Sequence, residues 1–132
     1  MKIIIANGPG KLLNGLEVIL FPSRCDSAVY SKPFAYYPYE LAYLSTLLKR
    51  ELQGVEVKMI DGNYPGWTID QYAYEIGVQN PDVLITECSA LTYPTMTRIM
   101  QMVGAKRNIL CGPYGMFNPF RASAAGWEVV TG

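Results

Sequence analysis

Four short segments hold residues that core packing alone does not explain: Asn7-Gly8-Pro9-Gly10, Cys88-Ser89-Ala90-Leu91-Thr92, Cys111-Gly112-Pro113-Tyr114-Gly115 and Thr131-Gly132. Their chemistry is shared. Glycines let a flat ligand come close to the backbone, and the hydroxyls of Ser89 and Thr92 can donate or accept hydrogen bonds. What these segments lack is equally informative. The chain has no histidine, which removes Ser-His-Asp catalysis, imidazole acid–base chemistry and every His-containing metal site. No lysine follows a glycine-rich turn in a phosphate-binding arrangement, and no acidic cluster waits for a magnesium ion. The cysteines, Cys25, Cys88 and Cys111, are odd in number and scattered, as befits reduced thiols rather than a disulfide framework. Their spacing fits neither zinc nor an iron–sulfur cluster. Cys88 and Cys111 are read as small apolar residues without a chemical role.

The elements that must position these segments follow from the apolar pattern. Ile3 to Ala6 reads as a short, continuously apolar strand, and Lys11 to Pro38 as one long irregular connection of the kind that forms a loop or lid. Within that connection Leu16 to Phe21 fits a strand or a helix turn, and periodicity does not decide between them. Tyr39 to Leu52 is the clearest helix, with Leu41, Leu44, Leu48 and Leu52 on one stripe widened by Leu47. Val55 to Ile60 is a strand, and Thr68 and Asp70 open a helix from Ile69 to Gln79. A strand from Val83 to Thr86, a helix from Thr95 to Val103, a strand from Asn108 to Cys111, a short helix from Phe120 to Ala125 and a strand from Trp127 to Val130 complete the order. Met96, Met100 and Met102 are read as core filler. Tyr36, Tyr37, Tyr39 and Tyr43 are read partly as core and partly as a surface for a flat ligand or a neighbouring domain. Asp61 and Asn63 are read as turn residues.

Strands alternating with helices, several of them apolar throughout, predict a parallel sheet covered on both faces. At 132 residues the expected solution is one α/β domain spanning 1–132, with a doubly wound, flavodoxin-like five-stranded sheet in the order 2-1-3-4-5. Such sheets bind ligands beyond the carboxyl ends of their strands, where the strand order reverses, and that edge would gather all four segments. The last strand is followed by no helix, so a fragment of a larger protein, or a face covered by a partner, is expected. Lys+Arg and Asp+Glu are both 11, which gives no electrostatic case for nucleic acid or an anionic membrane. No apolar run nears the ~18 residues of a membrane span, and Met1 to Ile5 is too short for a signal peptide. A cytoplasmic location is expected.

Several stations of the chain resemble the N-terminal cobalamin (B12)-binding domains of the B12-binding radical-SAM protein family. Pro38-Tyr39-Glu40-Leu41-Ala42-Tyr43-Leu44 resembles that family's P-P-L-G-L-A-Y-L helix opening. Val57-Lys58-Met59-Ile60-Asp61, Asn80-Pro81-Asp82-Val83-Leu84 and Cys111-Gly112-Pro113-Tyr114 look like its V-x-x-I-D, x-P-D-V-V and G-G-P-H stations, in the same order. Val129-Val130-Thr131-Gly132 looks like its V-V-R-G-E end, and Ser89-Ala90-Leu91 resembles the S-x-L turn of cobalamin-binding folds. The resemblance covers nearly the whole chain.

It implies a cobalamin-binding module with the cofactor's nucleotide tail along the sheet edge. Ser89, Ala90, Leu91 and Thr92 would line the tail slot, Gly112, Pro113 and Tyr114 would flank it with Thr131 nearby, and Asn7, Gly8 and Pro9 would lie beneath the corrin. The chain departs from the pattern in two places. The D-x-H-x-x-G motif is absent, with Asn7-Gly8-Pro9 standing where it would begin, so base-off binding without a histidine ligand is the mode implied. Tyr114 replaces the histidine of G-G-P-H. There is also no C-x₃-C-x₂-C motif, so S-adenosylmethionine and a [4Fe-4S] cluster would belong to a radical-SAM catalytic domain, supplied in cis or in trans, for which the resemblance implies methyl transfer or a related carbon-skeleton or ring-forming reaction. The alternative reading is a domain of this fold that binds no cobalamin and serves as a docking module. A phosphotransfer receiver is disfavoured by Asn7 and Glu87-Cys88 where acids are required. A dinucleotide site is disfavoured because Gly8-Pro9-Gly10 does not open into a helix.

Overall fold

A computed structural model of the chain describes residues 1–21, 26–29, 37–63 and 66–131. Cys25, Tyr36 and Gly132, named above, lie outside them. The main sheet is built from β1 (Lys2–Asn7), β4 (Glu56–Asp61), β5 (Val83–Glu87), β6 (Arg107–Cys111) and β7 (Glu128–Val129). It is parallel throughout, with spatial order β4-β1-β5-β6-β7. In main-sheet numbering this is the order 2-1-3-4-5 of a doubly wound, flavodoxin-like fold.

The direction of each crossover decides which face its helix covers. β1 steps to β4 on one side through α1 (Tyr39–Glu51). Every later step runs the other way, through α2 (Ile69–Gly77), then α3 (Tyr93–Val103), then α4 (Pro113–Phe117) and α5 (Pro119–Ala124). Right-handed crossovers in opposite directions place their helices on opposite faces. Strand residues divide accordingly, because successive side chains point to opposite faces. Ile4, Ala6, Ile60, Leu84 and Leu110 pack with Tyr72, Ile76, Met96 and Ile99 of α2 and α3. Ile3, Ile5, Val57, Val83 and Ile85 pack with Leu41 of α1, and Leu44, Leu48, Leu52, Ile109 and Cys111 are half-buried around them.

The helix ends carry recognisable signals. Thr68 and Gln71 form a reciprocal capping box at α2: the Gln71 N–H donates to Thr68 Oγ1 at 3.2 Å and the Thr68 N–H to Gln71 Oε1 at 2.9 Å. α3 ends at Gly104, left-handed with φ 66°. In α1, Glu40 in the first turn and Lys49 and Arg50 in the last complement the helix dipole.

Several expectations shift. The long connection is not wholly irregular, since β2 (Val18–Phe21) and β3 (Asp26–Val29) pair as an antiparallel hairpin. Val18 to Phe21 is therefore strand, because it finds a partner that periodicity cannot reveal. The segment after β6 contains α4, and α3 begins at Tyr93 rather than Thr95. Met96 and Met100 are buried, but Met102 points to solvent. Tyr37, Tyr39 and Tyr43 are all exposed, the first two in an edge-to-face pair with centroids 5.1 Å apart.

Candidate functional site

The strand order reverses between β1 and β5, and the loops that follow these two strands meet at the carboxyl edge. Asn7 closes β1 and is buried. Its side-chain amide donates to Asp61 Oδ1 at 2.9 Å, and its carbonyl accepts from the Gly62 N–H at 2.9 Å. The Tyr72 hydroxyl lies 2.6 Å from that same carbonyl and 2.8 Å from the carbonyl of Ile60, sharing one proton between them. Burial, reinforced by the Asp61 carboxylate, pushes the Tyr72 phenol well above its ordinary range, so it stays a donor. Tyr72 thus ties β1 to β4 at the edge where a ligand would sit. The periodicity of Ile69, Tyr72, Ala73 and Ile76 places it inward, but nothing in the sequence names its partners.

Gly8, Pro9 and Gly10 are also buried. A side chain at Gly8 would begin 2.7 Å from Met96 Sδ, so any larger residue here would force the buried Met96 side chain of α3 to shift. Gly10 has φ 59°, and a side chain there would meet Asn63 Oδ1 and the Val18 carbonyl. Beyond it, Lys11 and Glu17 form an isolated antiparallel bridge with a 2.7 Å ion pair, and the Thr95 hydroxyl donates to the Lys11 carbonyl at 2.8 Å. The first loop is therefore fastened to α3 rather than hanging free.

After β5, Ser89 and Thr92 are both buried and engage each other. The Ser89 N–H donates to Thr92 Oγ1 at 3.1 Å, the Thr92 N–H to Ser89 Oγ at 3.3 Å, and the two hydroxyls lie 3.2 Å apart. The Tyr93 N–H then donates to the Ser89 carbonyl at 2.9 Å. This reciprocal arrangement closes the turn that opens α3. Between the two hydroxyl residues, Ala90 and Leu91 face outward.

The third loop is half-buried. Gly112 has φ 86° and opens α4, a conformation that favours glycine. Pro113 follows, and the Tyr114 ring stacks on Tyr93 with centroids 4.4 Å apart and planes tilted by 31°. Thr131 is exposed. The residues anticipated from the sequence thus form two shells. Asn7, Gly8, Pro9, Ser89 and Thr92 form a buried inner shell. Ala90, Leu91, Gly112, Pro113, Tyr114 and Thr131 form an accessible rim.

On the α1 side of the same edge a polar row crosses four strands. Asp61 lies opposite Asn7, Glu87 sits one position beyond the Ala6–Thr86 pair, and Cys111 lies opposite Glu87. Strands about 4.8 Å apart set the spacing of this carboxylate, amide, carboxylate and thiol. The Cys111 thiol donates to the Thr86 carbonyl at 3.1 Å. Burial, with the nearby Glu87 carboxylate, pushes it up to about 11, so it is a protonated thiol and not a nucleophile at neutral pH. Among the described residues no group of three or more His, Cys, Asp or Glu side chains is arranged to hold a metal ion, and no helix is long and apolar enough to cross a membrane. No protein-family model, curated protein or solved structure matches the chain.

Proposed function

We propose that this chain is a cobalamin-binding module, holding the cofactor base-off and without a histidine ligand, for a cytoplasmic radical-SAM enzyme of the methyltransferase type. The observation that carries this reading is the parallel sheet in the order β4-β1-β5-β6-β7. Its switch point is framed by the loops that bear the cobalamin-domain resemblance. The rim fits a flat heteroaromatic tail: Leu91 offers exposed apolar surface, Gly112 lets the backbone be approached closely, and Pro113 and Tyr114 form a half-buried wall. Ala90 and Thr131 extend that rim, while Asn7, Gly8 and Pro9 back it from beneath. When bound, the cofactor would supply a cobalt centre for methyl transfer. Residues of this chain would orient it and exclude water, leaving S-adenosylmethionine and a [4Fe-4S] cluster to a catalytic domain in cis or in trans.

A second reading, a docking module of the same fold that binds no cobalamin, is favoured by the Ser89–Thr92 pair. Their hydroxyls close a turn, so both already serve a structural role, and a tail contact would compete with that arrangement.

The test is to incubate the chain with hydroxocobalamin, remove free cofactor by gel filtration and record the visible spectrum. Stoichiometric retention with a base-off spectrum is expected, weakened at least about tenfold, or about 1.4 kcal/mol, by Leu91→Arg. A colourless protein at tens of micromolar overturns the cobalamin reading in favour of the docking module.

A further inference from the structure

Two hollows meet on the face of the sheet covered by α2, α3 and α5, and the larger borders the rim at Tyr93, on which Tyr114 stacks. One, of about 300 Å³, lies between the Lys11–Glu17 bridge and the start of α2, and is lined by Lys11, Leu13, Thr68, Asp70 and Arg98. The other, of about 600 Å³, runs between α3 and α5 and is lined by Leu13, Tyr93, Pro94, Thr97, Arg98, Gln101 and Arg121, together with Ala124 and Ala125. Leu13 and Arg98 belong to both.

The larger groove has an uneven charge. The chain carries 11 basic and 11 acidic residues, yet two arginines and no carboxylate line this surface. The Arg121 guanidinium sits 5.8 Å from the centre of the Tyr93 ring and forms no ion pair among the described residues. A ring face holds a cation without using its N–H donors, so the fork of Arg121 remains available. Arg98 makes a single 3.2 Å contact with Asp70, and both side chains are more than half exposed. Such a pair is weak and solvent-screened, and an incoming anion can compete for it. Thr97 Oγ1 accepts the Trp127 indole N–H at 3.1 Å, which leaves its own proton to donate. Pro94, Leu13 and the two alanines supply the apolar surface between these polar groups.

We propose that the groove between α3 and α5 binds a small organic oxyanion, a carboxylate or phosphate ester with an apolar body. Arg98 and Arg121 clamp its oxygens and Thr97 donates a further hydrogen bond. Guanidinium forks match both kinds of oxyanion in geometry. This site does not rest on the cobalamin reading, because no rim residue lines it, although it adjoins the rim through the Tyr93–Tyr114 stack.

The test is an NMR titration of the whole 132-residue chain with phenyl phosphate, benzoate, inorganic phosphate and benzyl alcohol. Saturable shifts are expected at Thr97, Gln101, Ala124 and the side-chain N–H groups of Arg98 and Arg121, with a Kd on the order of 0.1–1 mM for phenyl phosphate or benzoate. Which of the two binds better distinguishes a phosphate ester from a carboxylate. Inorganic phosphate is expected to bind about tenfold more weakly, for lack of the apolar body. The R98A/R121A double variant, altered at two exposed positions, should keep its amide dispersion and lose binding at least about tenfold, whereas Asp70→Asn should tighten it by freeing Arg98. Absence of saturable shifts, unchanged binding by the double variant, or equal shifts with benzyl alcohol overturns the proposal.

Discussion

The two faces of the sheet are built to different tolerances. Under α2 and α3, Ile4, Leu84 and Leu110 are completely buried, as are Tyr72, Ile76 and Ile99 above them. Under α1 the central Ile5 is also completely buried, but Val57, Val83 and Ile85 keep 6–8% of their surface exposed. Among the buried strand residues of the other face only the edge-strand residue Ile60 reaches that value. Ile109 and Cys111, under α1, are only half-buried. The reason is topological. One crossover, β1 to β4, sends its helix to the α1 face, and all later crossovers send theirs to the other. The densely packed face therefore fixes the inner shell of the carboxyl edge, through Tyr72 on Asn7 and Met96 on Gly8. The α1 face carries the polar row that ends at Cys111.

The sharpest test of this contrast is a pair of truncations. Leu84→Ala should cost roughly 2–5 kcal/mol, as expected for a large-to-small change in a close-packed core. Ile109→Ala should cost about half as much or less. Urea unfolding with matched m-values checks both, and equal losses would erase the distinction between the faces. Next in size is Tyr72→Phe, which removes the phenol donor from the Asn7 and Ile60 carbonyls and should cost about 1–3 kcal/mol. Faster hydrogen exchange at Gly62, whose N–H shares the Asn7 carbonyl, would locate the damage at the carboxyl edge.

Gly8→Ala sharpens the comparison further. Its new methyl meets Met96 Sδ at 2.7 Å, an overpacking worth about 1–3 kcal/mol. Combined with Met96→Ala the cost should be less than the sum of the single changes, which a double-mutant cycle measures. Additive costs would mean that the loop after β1 does not rest on α3.

The smallest effect belongs to the α1 face and to alkaline pH. The Cys111 thiol is pushed from an ordinary value of 9.0 up to about 11, so the folded state holds this proton more tightly than the unfolded chain does. Its contribution is full below pH 9 and is lost as pH rises from there through about 11. Cys111→Ala should flatten this part of the stability–pH curve. Native Cys111 should also react slowly with thiol reagents at pH 8, and rapid labelling would contradict its burial beside Glu87.

The sequence carried the main framework because its strands are short apolar runs bounded by turn residues, and because Leu41, Leu44 and Leu48 mark their helix plainly. It failed where local signals were ambiguous. Val18 to Phe21 suits either a strand or a helix turn, and Asp26-Ser27-Ala28-Val29 has no alternation to advertise a second strand. Gly112 and Gly115 made the α4 segment look like loop, although Gly112 serves as the glycine-only entry to a helix. At the candidate site, composition located the segments but not their geometry. Ser89 and Thr92 suit both a ligand contact and a self-contained turn, and only their placement three residues apart on a buried turn reveals the pairing. The Arg98–Arg121 groove was invisible for a different reason: its residues come from two helices brought side by side by packing.

The main sheet has a further property in its margins. A bare strand edge is a template for another chain, and natural proteins blunt such edges with charge or brevity. On one margin, β4 presents exposed Glu56 and Lys58, charges that would have to be desolvated by an added strand. On the other, β7 is two residues long, held by a forked Arg107–Glu128 pair at 3.0 and 2.6 Å. Growth of the main sheet into ribbons or fibrils is thus discouraged at both margins, by electrostatic cost on one side and by the lack of a template on the other.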